Sequence, residues 1–493
     1  MSSRSLNFLA FLSTLAALAL PGKLGAQQQQ GQDATPLRYK LIDLGTFGGP
    51  NSFFAGPQPP APNVNNKGLA IGGAETPALD PYYPNCFIDC FVSHAFKWEG
   101  DALIDLGVLP GGSSSLACCV SASGRITGFS QNGLIDPLTG FPEDRAVIWT
   151  RAGQILDLGT LGGNESISSD INDRGQVVGI AANQTLDPFS FFGWGTQTRG
   201  FLWQDGVMHD MGTLGGPDAF AVFINSSGQV AGISYAESTA NPSTGIPTIH
   251  PFLWKNGNMQ DLGSLGGLGT PGNSFNEGFS VEVNSLNDRG EVVGTSPLAG
   301  DQTYHAFLWS GGFLRDLGTL GGNNSKALWI SDSGLVVGRA DFSPQSTAHH
   351  AFLWKNGVMT DLGTLGLCQL STAVVVNSKG QAVGDTGGCP GGGEGPPFLS
   401  DHGEAMVDLN TLVLPGSDLT LTGATFINDR GEIAGAGVLP NGDQHAVLLV
   451  PASEAEIAAA EALSVQPRAN TVQPPSSRSD SALNRFRRTR QLP

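Results

Sequence analysis

Short apolar phrases separated by turn-forming residues recur from about Tyr39 to Val450, and their length and spacing predict short β-strands rather than helices. Aligned on a recurring Asp-Leu phrase, equivalent aspartates fall at Asp43, Asp105, Asp157, Asp210, Asp261, Asp316, Asp361 and Asp408, spaced 45 to 62 residues apart. One unit shows the plan, with apolar phrases at Ile167–Asn172, Gln176–Gly179, Gly200–Trp203 and Val207–Asp210. Asn-Asp-Arg-Gly stands between the first two phrases at Asn172–Gly175, and again at Asn287–Gly290 and Asn428–Gly431. A second glycine follows the third phrase at Gly206, Gly257, Gly311 and Gly357. Asn and Asp tolerate turn conformations and Gly supplies positive φ, so both connections read as tight hairpins.

Four strands joined in this way make an antiparallel sheet, and repeats of this length suit propeller blades. The chain is therefore expected to be all-β, a single β-propeller of eight four-stranded blades. Glycines ending the second phrase count the same eight units: Gly72, Gly128, Gly179, Gly232, Gly294, Gly338, Gly384 and Gly435. The first unit's opening strand, expected near Pro59 to Asn66, is proline-rich, which makes seven regular blades the alternative. The last unit stops after its third strand near Val450, while Tyr39–Asp43 is an orphan fourth strand. If that N-terminal strand completes the last blade, the ring closes and no sheet edge is left open.

The third phrase is the most legible, at His94–Trp98, Arg145–Trp149, Arg199–Trp203, His250–Trp254, His305–Trp309 and His350–Trp354, and it holds six of the eight tryptophans. With its His-Ala-Phe at His94–Phe96, His305–Phe307 and His350–Phe352, the chain resembles the HAF-repeat family of extracellular bacterial proteins. The resemblance runs from about Tyr39 to Val450, nearly the whole mature chain. It implies an extracellular repeat protein and brings no catalytic residues with it.

Composition sharpens this picture. Sixty-nine glycines in 493 residues, with only 14 % charged residues, argue against a helical solenoid or coiled coil. A net charge of −18 argues against a nucleic-acid partner. Residues 1–26 read as an export signal, with Arg4 ahead of the apolar run Phe8–Leu20, which is too short to span a bilayer. No second long apolar segment suggests a membrane span. Residues 27–37 read as a Gln-rich linker, 38–451 as the propeller, and 452–493 as a mostly disordered tail with a short helix at Glu454–Leu463 and a basic end, Arg485–Arg490. Export makes disulfides plausible for the six cysteines, and the expected pairs are Cys86 with Cys90 and Cys368 with Cys389. No cofactor and no metal site is expected, because the cysteines lack paired CxxC spacing.

Candidate chemistry lies in the loops. Connections from first to second and third to fourth strand are short. Insertions gather in the other set, at residues 73–93, 129–144, 180–198, 233–249 and 267–279, all of which open on one face and mark it as the binding face. Phe189, Phe191, Phe192 and Trp194 form the densest aromatic run there, followed by Tyr82 and Tyr83; exposed, they would stack on sugar rings or anchor a protein. The repeated Asp is expected to accept turn or strand hydrogen bonds. The repeated His, which alternates with Arg145 and Arg199, is expected to donate within the blade, since Arg in its place would abolish metal ligation. The expected function is a secreted or envelope-associated binding protein for an extracellular glycan or protein. The alternatives are a polysaccharide lyase or glycosidase with acids gathered from several blades, and a structural surface or matrix component.

Overall fold

The computed structural model describes residues 37–54, 61–83, 86, 90–269, 281–345, 348–390 and 393–464. The export signal, residues 27–36 of the Gln-rich segment, most of the 267–279 insertion and the basic end Arg485–Arg490 lie outside the described residues. The fold is an all-β propeller of eight four-stranded antiparallel sheets, seven of them simple meanders. Blades one to eight begin with the inner strands Ser52–Phe53, Ser115–Val120, Ser166–Ile171, Ala219–Ile224, Glu282–Leu286, Ser325–Ile330, Leu370–Val376 and Thr420–Ile427. The ring closes as the sequence suggests: Tyr39–Asp43 pairs antiparallel with Gln444–Pro451, placing Leu41 opposite Leu449, as the outer strand of blade eight. The helix Glu454–Ser464 follows.

Blade one differs from expectation. Among the described residues its inner edge pairs at two short stretches, the first of them ahead of the expected Pro59 to Asn66, whose Pro59 and Pro60 lie outside the described residues. Ser52 and Phe53 pair with Ala74 and Gly73. The edge resumes where Asn63 accepts the Ile71 N–H at 2.9 Å and Val64 bridges Ala70. Pro62, just before the second pairing, accepts the Val120 N–H at 3.1 Å.

The blade is built around one close approach. In blades two to seven the inner strand carries a β-bulge at an equivalent place, between Ser168 and Asp170 in blade three and between Ala221 and Phe223 in blade four. There the inner-strand backbone presses onto the counted glycine of the second strand. A Cβ at Gly128, Gly232, Gly294, Gly338 or Gly384 would lie 1.9 Å from an inner-strand carbonyl oxygen, and one at Gly179 would lie 2.1 Å from Ile167 O. The phenylalanine of His-Ala-Phe is directly opposite this glycine on the third strand: Gly72 faces Phe96, Gly179 faces Phe201, Gly232 faces Phe252, Gly294 faces Phe307 and Gly338 faces Phe352. Each of these rings is fully buried. The ring covers surface that the missing side chain would leave bare, an aromatic rescue of a strand glycine.

Polar residues of the repeat then tie strands and blades together. The repeat His bonds the repeat Asp at 2.8 to 3.0 Å, as His94–Asp105, His250–Asp261, His305–Asp316 and His350–Asp361, and His445–Asp43 repeats the contact across the ring closure. Arg199 does the same for Asp210. Each of these aspartates also accepts the N–H of the glycine two residues on, at 2.7 to 2.8 Å. Partial burial disfavours ionisation of Asp43, Asp105, Asp261 and Asp316, yet the histidine and glycine hydrogen bonds hold these carboxyls below the usual range. On the short-turn face, asparagines pass amide hydrogen bonds around the ring, Asn172 to Asn225 O, Asn225 to Asn287 O, Asn377 to Asn428 O and Asn428 to Asn65 O, at 2.9 to 3.1 Å.

The close approach makes a direct prediction. Gly232→Ala forces Phe220 O and the Phe252 ring apart and is expected to cost about 3 kcal/mol of unfolding free energy, read by urea denaturation. A loss under about 1 kcal/mol would show that the inner strand yields freely.

Candidate functional site

Strands two and three and their connecting loops open on the same face as the blade-to-blade loops, and in blades one to three they project as long hairpins. The second strands there are Ala70–Leu79, Ile126–Ile135 and Val177–Leu186, each of 10 residues, against 6 in blades four to six. All three hairpins share one construction. Pairing breaks after Glu75, Gln131 and Ala182 and resumes at Leu79, Ile135 and Leu186. An aspartate follows at once: the N–H groups of Asp80, Asp136 and Asp187 close the hairpin on Cys90, Phe141 and Gly195 carbonyls. Their carboxylates accept the N–H of Tyr82, Leu138 and Phe189 at 2.9 to 3.0 Å, with proline between. The Asp-Pro turn holds the preceding aliphatic outward, and Leu79, Ile135 and Leu186 are 72 %, 47 % and 72 % exposed.

This phrase, Leu-Asp-Pro, Ile-Asp-Pro and Leu-Asp-Pro, is a second internal repeat that sequence reading passed over, although its spacing follows the main period. It was hidden because the other blades lack it. Between the second and third hairpins lies a cleft of about 300 Å³, walled by Asp136, Pro137 and Leu138 on one side and Gln184, Leu186 and Thr196 on the other. Asn164 in its floor donates to Asp136 at 3.0 Å.

The sequence-predicted aromatics part company here. Tyr83 stands in solvent, 78 % exposed, on a tip closed by the Cys86–Cys90 disulfide, with Tyr82 half-buried beside it. Phe191 and Trp194 are buried, and Phe189 and Phe192 pack against the same core. The Phe191 ring meets Tyr235 of blade four with centroids 4.3 Å apart, and Phe192 meets Phe220 edge-on at 5.3 Å. These four rings seat the third hairpin on its neighbour instead of offering a stacking platform, because the next blade supplies an apolar wall that the run itself does not reveal. The second expected disulfide, Cys368–Cys389, is formed, and Cys118 and Cys119 are unbridged and buried.

Beneath the seated hairpin lies a buried acid. Asp218 accepts the N–H of Phe191 at 2.7 Å and of Thr198 at 2.9 Å. Burial pushes its carboxyl up to about 8 against those bonds, and the neighbouring Asp187 adds to the rise. Asp170 and Asp385 are likewise pushed up to about 7 by burial, Asp170 accepting the N–H groups of Ile171 and Ile224 and Asp385 that of Ala424. Burial also raises the Cys119 thiol, which donates to Ser169 O at 2.8 Å. The Asp187–Asp218 pair is sealed from solvent, which suits it to holding a hairpin rather than to acid–base exchange with a substrate. Among the described residues, no group of three or more His, Cys, Asp or Glu is placed to hold a metal ion, and no helix is long and apolar enough to cross a membrane.

A raised folded-state pKa means that stability is full below the unfolded value, about 4, and falls as pH rises towards 8. Asp187→Asn keeps the acceptor for Phe189 and puts a donor beside Asp218. It is expected to gain about 1 kcal/mol at pH 8 and little at pH 5, read as thermal unfolding at the two pH values. An equal effect at both would remove the coupling.

No protein-family model matches the chain, and no curated protein sequence matches it. Among solved structures it is similar to the β-propeller domain of the trilobed protease from Pyrococcus furiosus, with 8 % identity and a TM-score of 0.43 over 72 % of this chain and 96 % of that one. It is also similar to Porphyromonas gingivalis dipeptidyl peptidase 4, with 10 % identity and a TM-score of 0.44 over 76 % of this chain, which spans 56 % of the peptidase.

Proposed function

We propose that this chain is an exported binding propeller that recognises a partner protein through the hairpin tips of blades one to three. The carrying observation is the threefold placement of an exposed aliphatic, Leu79, Ile135 and Leu186, by the same Asp-Pro turn on consecutive blades of one face. Single exposed aliphatics are ordinary on protein surfaces, but three held outward by a repeated device, with Tyr83 and Leu138 beside them, form an apolar contact set. A protein surface suits this set better than a glycan, since of the six aromatics expected to stack on sugars only Tyr83 is largely exposed. The two disulfides favour an oxidising compartment, and the signal-like residues 1–26 and the His-Ala-Phe phrases support an extracellular repeat protein of the HAF type.

A photo-crosslinking residue at position 186 tests this on the full chain, using the surface of the cells that make it. One discrete protein adduct is expected. Changing Leu79, Ile135 and Leu186 together to Ser is expected to weaken capture about tenfold or more while leaving the unfolding temperature within about 2 °C. A polysaccharide adduct, or capture indifferent to the triple change, would overturn the reading.

A further inference from the structure

On the opposite, short-turn face, an interblade groove lies between blades five and six. Between blades three and four, Arg174 reaches across and donates through Nε to Ser226 O at 3.0 Å, while Gln176 donates to Gln204 at 2.7 Å. Between blades five and six the equivalent Arg289 also lies over the facing turn, against Gly334, and like Arg430 of blade eight it is paired with a glutamate of its own blade. It donates to Glu291 of its own blade through Nε at 3.0 Å and Nη2 at 2.5 Å. Asn287 and Ser310 also donate to Glu291, at 2.8 and 3.0 Å. Burial works against the Glu291 charge, but these bonds hold its carboxyl below the usual range, so the glutamate is ionised and fully engaged internally. Beside this pair the groove has a volume of about 570 Å³, within the range of ligand sites.

Its outer wall is also specific to blade five. Phe313 and Arg315 lie two residues apart on the outer strand Phe313–Asp316, opposite Ser310 and Leu308. Other blades carry Ala102, Val207, Asn258 or Val358 in place of Phe313, and Ile104, His209, Gln260 or Thr360 in place of Arg315. Phe313 is 78 % exposed. Arg315 donates no hydrogen bond to any described residue, and neither the side-chain amide of Asn356 nor the aromatic face of Phe313 has a described partner. Ser333, on the facing turn, shares its hydroxyl with Ser331 at 2.9 Å.

We propose that this groove binds an acidic sugar, a uronate residue within a polysaccharide. Its carboxylate pairs with the Arg315 fork, the apolar face of its ring rests on Phe313, and its hydroxyls meet Asn356 and Ser333. A guanidinium matches a planar carboxylate bidentately, and aromatic rings carry the C–H face of a pyranose. The net charge of −18 repels polyanions elsewhere, so recognition is local to the groove. This inference is independent of the hairpin face.

Titration calorimetry of the full chain with trigalacturonate, and with galactotriose as the neutral control, tests it. Trigalacturonate is expected to bind at least about tenfold more tightly than galactotriose, and Arg315→Ala and Phe313→Ala are each expected to weaken it by about tenfold or more. Both side chains are exposed, so thermal unfolding is expected to stay unchanged. The changes Val207→Ala and His209→Ala in the blade-three counterpart are expected to leave binding intact. Absence of heat with trigalacturonate at millimolar concentration, binding indifferent to Arg315 and Phe313, or equal competition by an oligoglutamate peptide would overturn the proposal.

Discussion

The contact between an inner-strand carbonyl and a bare glycine Cα on the second strand sets the geometry of every blade. A separation of about 2 Å from the place where a Cβ would stand excludes every residue but glycine there. The bulge beside it is what allows the inner strand to bend towards the ring centre while keeping its pairing at both ends. The phenylalanine across the sheet completes the unit by covering the glycine, and in blades two and eight Val147 and Val447 occupy its place. Bulge, glycine and ring therefore work as one local module, repeated around the closed sheet.

Around that apolar module, the polar repeat residues act as ties rather than as chemistry. The aspartate engages both the third-strand histidine and the turn glycine, so a single carboxylate fixes the outer strand and the exit of the chain from the blade. Asparagines on the short-turn face link one blade to the next. Where serine replaces asparagine, at Ser121 and Ser331, the carbonyl still accepts from the preceding blade's Asn65 and Asn287 but the onward amide donor is missing. The ring thus tolerates interruption, because each bond is local to one pair of blades.

Against such regularity, departures carry the information about function. Three hairpins lengthened to one design on consecutive blades, and one groove walled by Phe313 and Arg315, are both built from residues absent at equivalent positions elsewhere. A scaffold of tied, covered modules can carry them because hairpin tips and groove walls lie outside the glycine–phenylalanine contact. The two features stand on opposite faces, so neither covers the other.

Blade number, strand order, closure by Tyr39–Asp43, both disulfides and the His–Asp ties could be read from the amino-acid sequence. Each rests on a local pattern repeated often enough to average out exceptions, and a strand's period of two converts such a pattern directly into a face. The fate of Phe189, Phe191, Phe192 and Trp194 could not be read, since it depends on Tyr235 and Phe220, more than twenty residues away on another blade. The start of blade one at Ser52–Phe53 was equally out of reach, because that pairing is held by Gly73 and Ala74 across the sheet. Arg289 and Arg174 occupy the same repeat position in nearly the same local sequence, yet Arg174 donates to Ser226 O of the next blade and Arg289 to Glu291 of its own. Glu291 in place of Gln176 decides between them. Sequence alone specified the repeating module; tertiary structure decided which copies stay covered, because burial is a property of two neighbouring blades and not of either one.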